Sequence, residues 1–320
     1  MPPPDHPHLP DRPEGRPLRG IAFKLGSVAL FTAMASLIKA TAPQVPPGEA
    51  VFFRSFFAIP VILVWLLWRG DFPAALATRD PLGHVWRGFA GVLSMTLGFW
   101  GLGLLPFPEV TALNYAAPIL VVIFGAMFLG ERIRAFRLMA VALGLAGVLI
   151  VLAPRLTVGG GATTPGETLG AVVTLGGAVF AALAQVFVRR LTLTEETAAI
   201  VWWFSVIASL FALLTLPFGW VLPGPRDAAF LVAAGLLGGL GQIFLTSAYR
   251  HAEAGLVAPF DYASMLLAVA IGWFAFAELP TRQTLLGAAL VIAAGILIIW
   301  RERRLGLERA RERAAKAGEG

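Results

Sequence analysis

The stretch VTALNYAAPILVVIFGAMFLGE, residues 110–131, decides how the rest of the chain reads. It returns in shape as VAPFDYASMLLAVAIGWFAFAE at residues 257–278. A shift of 147 positions sets Asn114 on Asp261, Tyr115 on Tyr262, Ala116 on Ala263 and Glu131 on Glu278. Each copy has the length of the ~20 apolar residues that cross a bilayer. Each carries a polar pair near its start and ends on a carboxylate. Polar groups inside a lipid-spanning helix are costly and face the bundle interior or water. The two copies therefore read as helices facing one another across a polar pathway.

Composition agrees. Apolar residues make up 58% of the chain and charged residues 14%, against ~45–50% and ~25% in soluble domains. With no cysteine, disulfides and thiolate metal sites are excluded. The net charge of +6 does not imply nucleic acid, because the basic residues sit in short runs between apolar segments.

Residues 1–20 are Pro-rich and charged and read as a disordered tail. Ten apolar runs follow, at 21–40, 50–68, 86–104, 109–129, 136–153, 168–188, 197–217, 228–248, 255–276 and 283–300. The Gly/Thr/Pro-rich linker 154–167 separates residues 21–153 from 168–300, five runs in each, and a basic tail occupies 301–320. Of the 25 Lys and Arg residues, only Lys39, Arg155, Arg226 and Arg282 fall in the loops of one side, with Arg54 inside a run. The remainder share the side of both termini, which places the termini in the cytoplasm. The halves also match at LMAVALGLAGVLIVL (138–152) and LLGAALVIAAGILIIW (285–300). Five spans per half reverse the second half. The expectation is an all-α membrane protein of ten transmembrane helices in two inverted five-helix repeats, a recurring build of secondary transporters.

LGER (129–132), FAEL (276–279) and FFRS (52–55), in this order on ten helices, resemble EamA-type carriers of the drug/metabolite transporter superfamily. With HVWRG (84–88) and APFDY (258–262), the chain is most similar to the metabolite carriers of the S-adenosylmethionine and riboflavin kind. The resemblance implies alternating-access transport of a small organic metabolite across the bacterial inner membrane. Amino acid or drug export is the other activity it implies.

Asp261 leads the candidate substrate-binding residues, because a carboxylate ~9 Å inside a span can hold a proton or a cationic group. Asn114, Tyr115 and Tyr262 can hydrogen-bond or stack on a substrate. Pro118 releases the carbonyl of Asn114 and Pro259 that of Gly255, and freed carbonyls in a membrane face protein or a cavity. Gln242 sits mid-helix beside Gly238, Gly239 and Gly241, which admit close helix approach. Trp100 can stack on a ring or a cation. Arg54 can touch substrate, snorkel to the outer surface or pair with Glu49. Lys39 reads as a helix-end anchor, Glu131 and Glu278 as helix-end braces paired with Arg132, Arg134 or Arg282, and Trp202 and Trp203 as interfacial anchors. The histidines, His6, His8, His84 and His251, read as loop or tail residues with no metal spacing. No cofactor is implied. Without a GxxxxGK[ST] motif, ATP-driven pumping is not expected. A membrane-embedded enzyme would need clustered catalytic groups that the chain does not offer, and a lipid-linked sugar flippase would need a cavity open to lipid. The expected partners are a small-molecule substrate, protons as a candidate coupling ion and the lipid bilayer. Monomer and homodimer are both open.

Overall fold

The computed structural model describes residues 17–70, 72–73, 76–129, 135–156, 164–191, 194–251 and 258–318. Glu131, Arg132, Arg134, Gly255, His6, His8 and most of the linker lie outside the described residues. Among the described residues every regular element is helical.

Helix α1 is Pro17–Thr41. It starts inside the segment expected to be disordered, because proline suits the first turn, where its missing N–H costs nothing. The run at 50–68 is two helices, α2 (Pro47–Phe56) and α3 (Ala58–Arg69). Pro60 has no N–H to give the Phe56 carbonyl and its ring crowds that carbonyl. The chain turns at Phe57, whose N–H bonds Phe53 O at 3.0 Å. Helix α4 is Pro81–Leu104, capped by Asp80, whose Oδ1 accepts from Gly83 N at 2.8 Å.

The opening stretch breaks in the same way. Helix α5 (Phe107–Asn114) stops and α6 (Ala116–Leu129) starts around Tyr115. Pro118 frees the Asn114 carbonyl, and the Tyr115 N–H turns to Ala112 O at 3.3 Å. After α7 (Ala135–Leu156), α8 (Pro165–Leu191), α9 (Thr197–Leu213) and α10 (Pro225–His251) comes the second copy. A tight 3₁₀ turn, Ala258–Tyr262, precedes α11 (Ala263–Phe276). Each polar pair thus stands at a change of helical form. Finally α12, Arg282–Gly318, runs without interruption into the basic tail.

Five described helical segments are long and apolar enough to cross a membrane: Leu18–Thr41, Pro47–Arg69, Phe107–Gly125, Pro165–Val188 and Pro225–Ala248. Shorter apolar helices cover Leu138–Pro154, Ala198–Leu213, Phe260–Phe276 and Arg282–Leu297. The most extensive packing joins α4 to α8, α1 to α10 and α7 to α12. Small residues set these distances. A Cβ on Gly177 would lie 3.1 Å from Gly98 N and Ser94 O, and one on Gly147 2.7 Å from Gly287 O.

A carboxylate staple holds the α3–α4 connection to the α8–α9 connection. Glu195 accepts from Thr78 Oγ1 (2.9 Å), Arg79 N (2.6 Å) and Asp80 N (2.8 Å). Burial alone would push the Glu195 carboxyl up. These hydrogen bonds, with His84 nearby, outweigh burial and hold it below the usual carboxylate range. His84 is a buried residue of α4 rather than a loop residue, with Nε2 3.9 Å from Glu195 Oε2.

Candidate functional site

Between α1, α4, α5 and the 258–264 segment lies a cavity of about 400 Å³. Its apolar wall includes Val28, Phe31, Met95 and Phe99, and its polar groups are Thr32, Ser94, Thr111, Asn114, Tyr115, Asp261 and Ser264. A mostly apolar concavity with a few convergent polar groups is the usual form of a small-molecule site.

Its charge is set by an ion pair. Lys24 Nζ of α1 lies 2.7 Å from Asp261 Oδ1, with the lysine 2% exposed and the carboxylate 52% exposed. An ammonium buried this deeply needs a countercharge, and Asp261 supplies one while still lining the cavity.

A second pair joins the same two chain segments at the far end of α1. Lys39 Nζ lies 2.9 Å from Glu278 Oε1 and donates to Leu102 O (2.9 Å) and Leu105 O (2.8 Å). The other carboxylate oxygen, Oε2, accepts from Phe107 N at 2.7 Å. The ends of α1 and α11 and the α4–α5 turn are thus tied in one knot. Lys24 and Lys39 are separated by ~22 Å of helix, and the α1 cavity residues Val28, Phe31, Thr32 and Ala35 lie between them. Lys39 is therefore more than an anchor, and the partner of Glu278 is Lys39, not Arg282.

The tyrosines meet edge to face, with ring centroids 5.2 Å apart at 77°. Tyr115 Oη bonds Ser264 Oγ at 2.8 Å, and Ser264 Oγ donates to Asp261 O at 2.7 Å. Tyr115, Asp261 and Asn114 line the cavity, and Tyr262 stands against Tyr115.

Three expected site residues lie elsewhere. Trp100 lines a separate cavity of about 300 Å³ with Gln44, Pro46 and Gly103. Gln242 is half-buried in α10 and does not line the Asp261 cavity. Arg54 is buried, over the Phe204 ring at 5.7 Å. It does not pair with Glu49, which instead accepts from Val221 N at 3.0 Å. Trp203 donates to Leu76 O at 3.3 Å.

In the sequence Lys24 and Arg87 read as charges of the helix entries on the side of the termini. The available signal was depth: each sits several residues inside its helix. Among the described residues no cluster of three His, Asp or Glu side chains could hold a metal.

The EamA-like transporter family matches residues 18–153 and again 168–300. The pseudopaline exporter CntI of Pseudomonas aeruginosa (strain UCBPP-PA14) is 32% identical over 280 residues, covering 87% of this chain and 95% of the exporter. A riboflavin transporter of Rhizobium johnstonii is 30% identical over 288 residues, covering 90% of each chain. An S-adenosylmethionine uptake transporter of Rickettsia felis is 25% identical, covering 90% of this chain and 94% of the transporter. A solved crystal structure shares the fold at a TM-score of 0.62 and 23% identity, covering 89% of this chain and 98% of that one. The chain is a multi-pass membrane protein and a member of the EamA-like transporter family.

Proposed function

We propose that the chain is a secondary carrier moving a small organic metabolite by alternating access. The observation that carries this reading is the cavity lined by Asp261, the partner of Lys24, with the Lys39–Glu278 knot at the other end of its α1 wall. Two ion pairs join α1 to the Asp261–Glu278 segment, one at each end. Substrate binding at Asp261 competes with Lys24 and loosens one pair, while the other holds its end shut.

Ten spans in two halves, 21–153 and 168–300, give this motion its frame, with 154–167 as linker. In the repeat α1 corresponds to α8 and α4 to α10. The α1–α10 contact then maps onto the α8–α4 contact, and both are among the most extensive in the molecule. That exchange favours two like halves related by a two-fold axis, and inversion lets them swap conformations. Both tails, 1–20 and 301–320, lie in the cytoplasm and the protein in the inner membrane. Asp261 is the group through which protons couple, and the chain performs no enzymatic step.

The test is uptake into proteoliposomes of labelled riboflavin, S-adenosylmethionine and amino acids, with and without an inward proton gradient. Saturable, gradient-stimulated uptake that Asp261→Asn abolishes is expected. Uptake by Asp261→Asn equal to wild type, with the same pH dependence, removes Asp261 from the mechanism.

A further inference from the structure

Helices α2, α4 and α9 bring two guanidinium groups onto one aromatic ring. Arg87 Cζ stands 3.4 Å from the Phe204 ring centroid and Arg54 Cζ 5.7 Å. Arg54 and Phe204 are 6% and 7% exposed. Glycines make the room. A Cβ on Gly91, one turn along α4 from Arg87, would lie 2.6 Å from Phe204 Cε2 and 2.9 Å from Arg87 Nη1. A Cβ on Gly238 of α10 would lie 3.3 Å from Arg54 Nε.

These donors lack acceptors. Arg54 Nε, Arg87 Nε, Arg87 Nη1 and the Oγ of the neighbouring Ser55 are buried without a hydrogen-bond partner. Among the described residues neither arginine forms an ion pair. The carboxylates nearest in sequence are used elsewhere: Glu49 on Val221 N, Asp80 on Gly83 N. Glu195, across from His84, is used on residues 78–80. The Phe204 ring offsets part of the cost of two like charges out of water, but supplies no hydrogen-bond acceptor in the plane of either fork. A negatively charged, planar, two-oxygen acceptor would complete the arrangement, and guanidinium forks are matched to carboxylates. Arg87 and Gly91 share one face of α4 with Ser94 and Gly98, which line the cavity. Ser94 stands ~10 Å along α4 from Arg87.

We propose that Arg54 and Arg87, over Phe204, form a subsite for a carboxylate of the transported metabolite. This rests on the transporter reading and narrows its substrate to carboxylate-bearing compounds.

The test uses acetate as probe, with acetamide and chloride as controls at fixed ionic strength, on purified protein in lipid nanodiscs. Acetate is expected to raise the thermal unfolding midpoint of wild type, and acetamide and chloride are not. Arg54→Gln and Arg87→Gln lose the acetate response. Ligand-free Arg87→Gln melts no lower than wild type, since it removes an uncompensated charge. A purely structural arginine gives the opposite: a lower midpoint for Arg87→Gln and no acetate response in wild type. Equal responses to acetate and chloride overturn the carboxylate assignment in favour of any small anion. In proteoliposomes, a transported carboxylate compound should outcompete its amide by about tenfold or more in wild type, and Arg87→Gln should lose that preference. Transport of a carboxylate-bearing compound unchanged by Arg87→Gln sinks the subsite and leaves the transporter reading intact. An acetate response without transport of any compound in the panel sinks the transporter reading and supports the anion site.

Discussion

Tyr115 and Tyr262, 147 residues apart, touch edge to face with ring centroids 5.2 Å apart, so the repeat brings its own equivalent positions into contact. The Tyr115 hydroxyl reaches across to Ser264 Oγ at 2.8 Å. Removing that hydroxyl leaves the ring contact and leaves Ser264 Oγ only its bond to Asp261 O. Tyr115→Phe should cost about 1 kcal/mol of stability and raise the KM for uptake several-fold with little change in maximal rate. A thermal melt in detergent together with an uptake titration checks both. An unchanged KM would make the pair purely structural.

The Lys24–Asp261 pair predicts strong non-additivity. Asp261→Asn takes the countercharge of Asp261 from a lysine that is 2% exposed, and should cost about 2 kcal/mol, moderated because the carboxylate itself faces the cavity. Adding Lys24→Met should restore most of that stability without restoring transport. A double-mutant cycle of unfolding midpoints reads the coupling, and additive losses would mean that the pair does not hold α1 to the Asp261 segment.

Acid should act through Glu195. Its carboxyl titrates below the ordinary range in the folded chain. Its stabilising contribution is therefore present above the unfolded-state pKa and is lost as pH falls through the lower folded value. The melting midpoint should drop on acidification through the carboxylate range, and Glu195→Gln should flatten that drop. An identical acid profile for Glu195→Gln would place the dependence elsewhere.

The α7–α12 contact should not tolerate bulk. A Cβ on Gly147 already approaches Gly287 O at 2.7 Å, so Gly147→Leu should destabilise by about 1–3 kcal/mol. Gly98→Leu should harm uptake more than stability, because Gly98 lines the cavity. Melting midpoints and initial uptake rates for the two variants separate the effects, and equal losses of stability would contradict the assignment.

Much of this was legible in the sequence because lipid imposes strict rules. Apolar runs, Pro118 as a helix breaker and the matched pairs Asn114–Tyr115 and Asp261–Tyr262 all follow from the cost of polar backbone in hydrocarbon. The break at Phe57 was equally available, since Pro60 demands it, but a hydropathy run passes over it. Side-chain partners were less legible. Lys39 with Glu278 and Lys24 with Asp261 are set by how α1 crosses the second half, which no local pattern encodes. Trp100 stands out in the sequence as an aromatic that can stack and Gln242 as a polar group beside glycines, but neither lines the Asp261 cavity. Arg87 was hidden by its nearness to the helix start, although His84 and Arg87, three residues apart, mark one face of α4.

The absence of cysteine makes the central claim directly testable. Thr111→Cys puts a single thiol on the cavity wall, and its labelling by a membrane-impermeant maleimide can be followed in right-side-out and inside-out vesicles. Glu278→Gln, which weakens the Lys39 knot, should raise labelling from one side. Asp261→Asn, which weakens the Lys24 pair, should raise it from the other. Opposite changes are the predicted result. Labelling from one side only, insensitive to either substitution, would contradict alternating access through this cavity.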